Sequence, residues 1–302
     1  PPESLTVDWW PNHRHDLRNT GYSTSSGPET NNVMWTYSFD TKIYYASPVV
    51  ADNKLYISTD GGKVHCLNAI TGEHIWTYLG GGSSGKRDNP TIADGKVFVG
   101  VSSGIHCLDA TTGDLIWANT IRIQTSPAVV DDKVYVGSDD DNIYCLDAAT
   151  GDPLWDYATI EIGSLFRSSP AVIDGRVYIG SSISRSDYSI FYCINATTGD
   201  LIWDYTAYSV DWTDINTPVV VYGKVFISST DRLYCVNATT GDDIWAYTLK
   251  IWAAPAVAYG KIFIHRASNG DLYCINATTG DYIWHLDVVA QVNLHLSLTV
   301  NL

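Results

Sequence analysis

The sequence predicts an all-β protein: a β-propeller of four-stranded antiparallel blades, most consistent with seven blades of which six are complete. Three observations carry this reading. The 302-residue chain repeats one order of parts, and its six cysteines are spaced 41, 38, 48, 42 and 39 residues apart. Each repeat holds four short β-rich stretches separated by Gly, Asp and Asn turns. No window shows the period of an amphipathic helix. Four strands in a unit of this length describe a propeller blade rather than a helical solenoid.

Each unit opens on an SPAV-like stretch: SPVV at 47, NPTI at 89, SPAV at 126 and 169, TPVV at 217 and APAV at 254. A strand of alternating pattern follows, as in KLYIS, KVFVG, KVYVG, RVYIG, KVFIS and KIFIH. The third strand holds Cys66, Cys107, Cys145, Cys193, Cys235 or Cys274. A Thr-Gly turn then leads to a last strand ending in Trp76, Trp117, Trp155, Trp203, Trp245 or Trp284, each ten residues after its cysteine. The six units fill the chain from Ala46 to Leu286.

The ends modify the pattern. Trp35, in NNVMWTYSF, fits the last-strand pattern without preceding strands of its own. It predicts the outer strand of a seventh, composite blade whose inner part comes from the C-terminus. There QVNLHLSLTVNL alternates Val292, Leu294, Leu296, Leu298, Val300 and Leu302 with polar neighbours. That is material for one long strand or two short ones, without Pro or Gly punctuation, so the seventh blade is short of material. The chain thus divides into an entry segment packed on the propeller (1–32), the blades (33–287) and a C-terminal strand (288–302). The last piece completes the final blade or pairs with another subunit.

Composition excludes several functions. Charged residues make up 17% and aromatics 12%, with 20 Tyr and 11 Trp against 6 Phe and 1 Met, a folded β-rich composition. A net charge of −15 repels a phosphate backbone and an anionic membrane, so no nucleic-acid partner is expected. No stretch approaches the roughly 18–20 apolar residues that span a bilayer. The opening PPESLTV has neither an initiator Met nor a signal-like apolar core. It reads as a processed or trimmed chain and points to an exported, extracellular or cell-surface protein.

The shared motif C-x-[ND]-A-x-T-G-x-x-x-W resembles the tryptophan-docking repeat of the pyrroloquinoline quinone (PQQ)-like propeller family, where the first position is usually Ala. The opening WPNHRHDLRNTGYS is similar to the entry segment of secreted archaeal and bacterial members. The resemblance implies that each indole stacks beside the small first residue and over a neighbouring motif's glycine. Trp76, Trp117, Trp155, Trp203, Trp245 and Trp284 would do this, with Trp35 as the seventh. Asn68, Asp109, Asp147, Asn195, Asn237 and Asn276 would accept hydrogen bonds from turn amides. The family's quinoprotein dehydrogenases are about twice this length and hold the quinone with calcium, an acidic base and often a vicinal disulfide. This chain has no adjacent cysteines, no evident calcium set and no CxxCH haem motif. Other relatives bind no cofactor and serve as assembly scaffolds, so no cofactor is expected here.

The remaining candidates weigh as follows. Equivalent cysteines in neighbouring blades lie about 10 Å apart, too far for a disulfide, and no CxxC or CxH pair suggests zinc. They read as small buried thiols packed against indoles. Asn195, Asn237 and Asn276 each start an Asn-Ala-Thr sequon, a candidate glycosylation site, although the turn already claims that side chain. His13-Arg-His15-Asp16 resembles a fragment of a metal site but reads better as surface packing, and Asp139-Asp140-Asp141-Asn142 as an acidic hairpin. The repeats differ most in the loops entering the SPAV strands, which hold Tyr44, Tyr45, Arg87, Arg122, Phe166, Arg167, Trp212 and Trp252. Aromatics and Arg favour interaction hot spots, so these residues form the candidate interaction face. The expected function is a non-enzymatic protein-interaction and assembly scaffold, self-assembling through residues 288–302. The alternatives are a PQQ-dependent dehydrogenase and a carbohydrate-binding surface module.

Overall fold

Each repeat folds into one antiparallel sheet whose strands pair in chain order. Blade 1 consists of Val49–Ala51, Lys54–Thr59, Lys63–Asn68 and His74–Leu79, from the axis outward. Blades 2 to 6 repeat the arrangement over residues 91–119, 128–158, 171–208, 219–248 and 256–286. The computed structural model describes residues 10–11, 14–23, 32–43, 46–81, 89–123, 125–159, 164–166, 168–183, 186–208, 216–251, 253–266 and 270–287. No helix occurs among them, and six sheets do, so the chain is an all-β propeller. The hairpin at 181–189 lengthens the ladder of blade 4: its two middle strands, Arg176–Ile183 and Tyr188–Asn195, run eight residues each. A short fifth strand, Ser164–Leu165, pairs with its end.

Hydrophobic burial lies between blades rather than within them. Val49, Tyr56, Cys66 and Trp76 of blade 1 share one core with Val97, Val99, Leu108 and Ala110 of blade 2, and such clusters join each later pair of blades. The middle strands are apolar on both faces because both faces are covered. The register shows how the indole reaches its neighbour. Cys66 pairs with Trp76, whereas Leu67 pairs with His74, so Ile75 is an extra residue in the outer strand. This β-bulge recurs after every cysteine; such bulges re-aim a side chain.

The indole lands on a glycine of the next blade. A Cβ on Gly113 would stand 2.7 Å from Trp76, and one on Gly151 2.5 Å from Trp117. Gly199, Gly241 and Gly280 meet Trp155, Trp203 and Trp245 in the same way, and Gly72 meets Trp35. These glycines also take left-handed backbone, with φ between +74° and +79°, which side chains resist. Trp76 Nε1 donates to Ala110 O at 3.3 Å, Trp117 to Ala148 O at 3.1 Å and Trp35 to Ala69 O at 3.0 Å. Tyr56 Oη shares the Ala110 carbonyl at 3.1 Å, so one blade holds the next through two donors on one acceptor. Trp284 departs from the expected set. It is 39% exposed, and no glycine among the described residues lies against it.

Two joints carry histidine. His106 bonds Tyr78 Oη of blade 1 at 2.7 Å and Ser103 Oγ at 2.9 Å. His65 sits between Thr59 Oγ1 at 3.2 Å and Thr77 Oγ1 at 3.0 Å, under Phe39. Burial lowers the proton affinity of both rings; at His65, Asp40 opposes this while Lys63 and His74 add to it.

Two outcomes follow from these joints. Gly151→Ala meets both the indole and a left-handed backbone, and costs about 2–4 kcal/mol in a denaturant melt. Gly175→Ala, at φ +68° with nothing within 4 Å of its Cβ, costs about 1 kcal/mol. Because His65 and His106 hold a proton less well folded than unfolded, their contribution is complete above about pH 6.5 and is lost as pH falls below it. Melts from pH 7 to pH 5 therefore show falling stability, and His106→Gln flattens that fall.

Candidate functional site

The chain's own N-terminal segment bonds the innermost strands on the axial side of the propeller. Residues 10–11 and 14–20 lie along the axial side and offer carbonyls to the middle residue of the innermost strands of blades 1, 2, 4, 5 and 6. Trp10 and Val50 exchange two hydrogen bonds at 2.8 Å. Pro11 O accepts from Ile92 N at 2.9 Å, Leu17 O from Val172 N at 2.9 Å, Arg18 O from Val220 N at 3.0 Å and Thr20 O from Val257 N at 3.1 Å. The innermost strands of blades 1, 2, 4, 5 and 6 thus find, on their axial side, the backbone partners that buried amides require.

Arg14, Asp16 and Asn19 shape this turn. Asp16 Oδ1 accepts from the amides of Arg18 and Thr20 at 2.9 and 3.1 Å. Asn19 takes left-handed backbone at φ 57°, and its Nδ2 donates to Pro170 O and Pro218 O, each at 3.3 Å. The Arg14 guanidinium donates to Asn19 O at 2.9 Å, to Ala254 O at 3.0 Å and to Pro255 O. Burial lowers its pKa to about 10, opposed by Asp16, so it stays cationic at neutral pH. The cleft left beside Asp16 and Leu17, walled by Ser126, Pro127, Ser169 and Pro170, is water-sized.

A second ring surrounds this one, made by the residue before each SPAV proline. Ser47 N donates to Asn89 Oδ1, Asn89 N to Ser126 Oγ at 3.1 Å, Ser126 N to Ser169 Oγ at 3.1 Å, and Ser169 N to Thr217 Oγ1 at 3.2 Å. The belt stops at Ala254, whose methyl group accepts nothing. That is where Arg14 binds the backbone. Neither ring was read from the sequence, although a hydroxyl or amide side chain precedes the proline in five of the six repeats.

The expected interaction face divides. Arg122 is exposed, with its Nε 3.8 Å from Asp139 Oδ2. Phe166 is 1% exposed and lies against Gly137 in the core between blades 3 and 4, which corrects its placement on a surface. Tyr44, Tyr45, Arg87, Arg167, Trp212 and Trp252 lie outside the described residues, as do His13 and residues 288–302. His15 packs on Trp10 at 4.8 Å, and no group of three His, Cys, Asp or Glu among the described residues could hold a metal. Asp140 accepts from Tyr144 Oη at 2.9 Å and from Asn142 N, a self-contained hairpin.

The remaining motif residues serve the fold. All six cysteines are free and buried. Burial pushes the thiols of Cys66, Cys107, Cys145, Cys193 and Cys235 up to about 12, and that of Cys274 in the same direction; such thiols are inert. Asn195 Oδ1 accepts from Thr197 N and Thr198 N at 2.8 and 3.1 Å. Asn237 and Asn276 do the same for their turns, so all three sequon side chains are engaged through Oδ1.

The family model described as outer membrane protein assembly factor BamB matches residues 24–103 and 78–286. Among solved structures, BamB from Moraxella catarrhalis is 22% identical with a TM-score of 0.65, over 84% of this chain and 76% of that one. The quinohemoprotein alcohol dehydrogenase ADHIIG from Pseudomonas putida HK5 is 16% identical with a TM-score of 0.71, over 92% of this chain and 66% of that one. Among curated relatives, the quinohemoprotein alcohol dehydrogenase of Comamonas testosteroni is 35% identical over 75 residues, 23% of this chain and 11% of that enzyme. No helix among the described residues is long and apolar enough to cross a membrane. A match over most of residues 24–286, on six repeated antiparallel sheets, places the chain in the PQQ-like repeat family of β-propellers, the family described by BamB.

Proposed function

We propose that this chain is a non-enzymatic, exported or cell-surface propeller that serves as a protein-interaction and assembly scaffold. The carrying observation is the axial segment. In a quinone-dependent relative the ligand would sit at the central opening; here residues 10–20 bond the innermost strands of blades 1, 2, 4, 5 and 6 there. Arg14 and Asn19 spend their donors on backbone carbonyls of the ring. These residues hold the chain's own peptide, so they do not fit a quinone bed, and no catalytic step is derived through one. The family model's description as an assembly factor supports the same reading. Partner contacts fall to the loops around Arg122 and to residues 288–302.

The second reading, a PQQ-dependent dehydrogenase, is favoured by likeness to the quinohemoprotein alcohol dehydrogenases. Thermal melting with PQQ and Ca²⁺ separates the two, because a ligand that binds only the folded state at about 100 times its Kd adds about 2.7 kcal/mol. The scaffold reading expects no shift in Tm and no dye reduction with alcohols or sugars. A ligand-dependent rise in Tm accompanied by turnover contradicts it.

A further inference from the structure

We propose that a strand from a second copy of this chain fills the seventh position, residues 288–302 of one molecule entering beside Trp284 of the next. The proposal rests on the scaffold reading and gives it a concrete contact.

One flank of the seam is blade 6. Its outward face carries Phe263, Cys274 and Trp284 in one cross-strand row, with His265, Leu272 and Leu286 in the next. The residues equivalent to Phe263 in the other five blades, Tyr56, Phe98, Tyr135, Tyr178 and Phe226, are at most 3% exposed. Phe263 and Leu272 are only half-buried, while Trp284 and Leu286 are 39% and 58% exposed. The other flank is the extended stretch 32–39, fixed to blade 1 by Trp35 on Gly72 and by Phe39 on His65. Val33 and Met34 are 54% and 55% exposed, and no backbone ladder joins this stretch to any described residue. A backbone without ladder partners among the described residues, next in the ring to an exposed apolar face, is a template for strand addition.

The occupant must therefore be a strand with one apolar side. Residues 292–302 alternate Val292, Leu294, Leu296, Leu298, Val300 and Leu302 with Asn293, His295, Ser297, Thr299 and Asn301. They follow directly on blade 6, whose outer strand ends at Leu286.

Two features favour a neighbouring copy as donor. Every blade passes from its innermost to its second strand through two residues with left-handed backbone, such as Asp94-Gly95 and Asp174-Gly175. Residues 292–302 contain neither Gly nor Asp, and as a donated strand their span is about 36 Å at ~3.3 Å per residue. The shortest connection between described blades, Thr248 to Ala256, applied after Leu286 would consume the chain through Asn293 before a strand could begin. A route within one molecule would thus shorten the alternating stretch, whereas donation to a neighbour uses all of it. Donor and acceptor are different surfaces, so the contact is head-to-tail and builds an open filament unless its rotation closes a ring.

Cross-linking between differently marked copies tests this. Thr36→Cys and Ser297→Cys are placed in separate full-length chains, mixed and treated with a bismaleimide; the native thiols, all buried and raised in pKa by that burial, stay silent. The expected product is a cross-link between one chain of each kind. In sedimentation of otherwise unmodified chains, deleting 288–302 abolishes assembly without lowering Tm, and Trp284→Ala weakens it at least about ten-fold. The proposal is overturned if a chain carrying both substitutions closes only on itself, or if intact chains stay monomeric at high concentration without cross-linking. Either outcome leaves the scaffold reading to be decided by the PQQ titration.

Discussion

An indole of one blade standing on a bare glycine of the next is the contact on which this structure depends. Three demands converge on each glycine: a left-handed backbone, no Cβ beneath the indole, and a turn whose amides bond an Asn or Asp. The cysteine is the small cross-strand neighbour that lets the indole lie flat, and the bulge after it turns the indole outward. Because the buried apolar surface lies between sheets, no blade has a core of its own, and the ring is stable only as a stack.

A stack of repeats needs something to finish it. Docking indoles join Trp35 to blade 1 and each blade to the next as far as blade 6, then stop at the half-exposed Trp284. Closure falls instead to the axis, where residues 10–20 tie the innermost strands on both sides of the break. Arg14 bonds the backbone at Ala254, where the side-chain belt runs out of acceptors. This hub bonds the innermost strands of blades 1, 2, 4, 5 and 6 at the axis.

Much of the blade plan was legible because it repeats. Six copies of one spacing identify the strands and the turns, while the glycine partners of Trp76 through Trp245 were implied only by the resemblance to the PQQ-like repeat family. Phe166 was misread because a loop aromatic that turns inward, onto Gly137, looks like one that turns outward. The hub was invisible for a different reason: Arg14 and Asn19 serve carbonyls 151 to 241 residues away, and main-chain acceptors leave no mark in side-chain patterns. The belt left a trace, the polar residue before the proline in five of the six repeats, but its purpose appears only when neighbouring repeats are brought side by side.

The central claim is that the chain's own N-terminal segment occupies and closes the axis. Amide hydrogen exchange at Val50, Ile92, Val172, Val220 and Val257 tests it most directly, comparing the full chain with one lacking residues 1–23. The account predicts slow exchange at these five amides in the full chain. Without the segment they should exchange much faster, while amides of the second and third strands keep their protection. Equal protection at the five amides in both chains would contradict it, since those groups would then owe nothing to the segment.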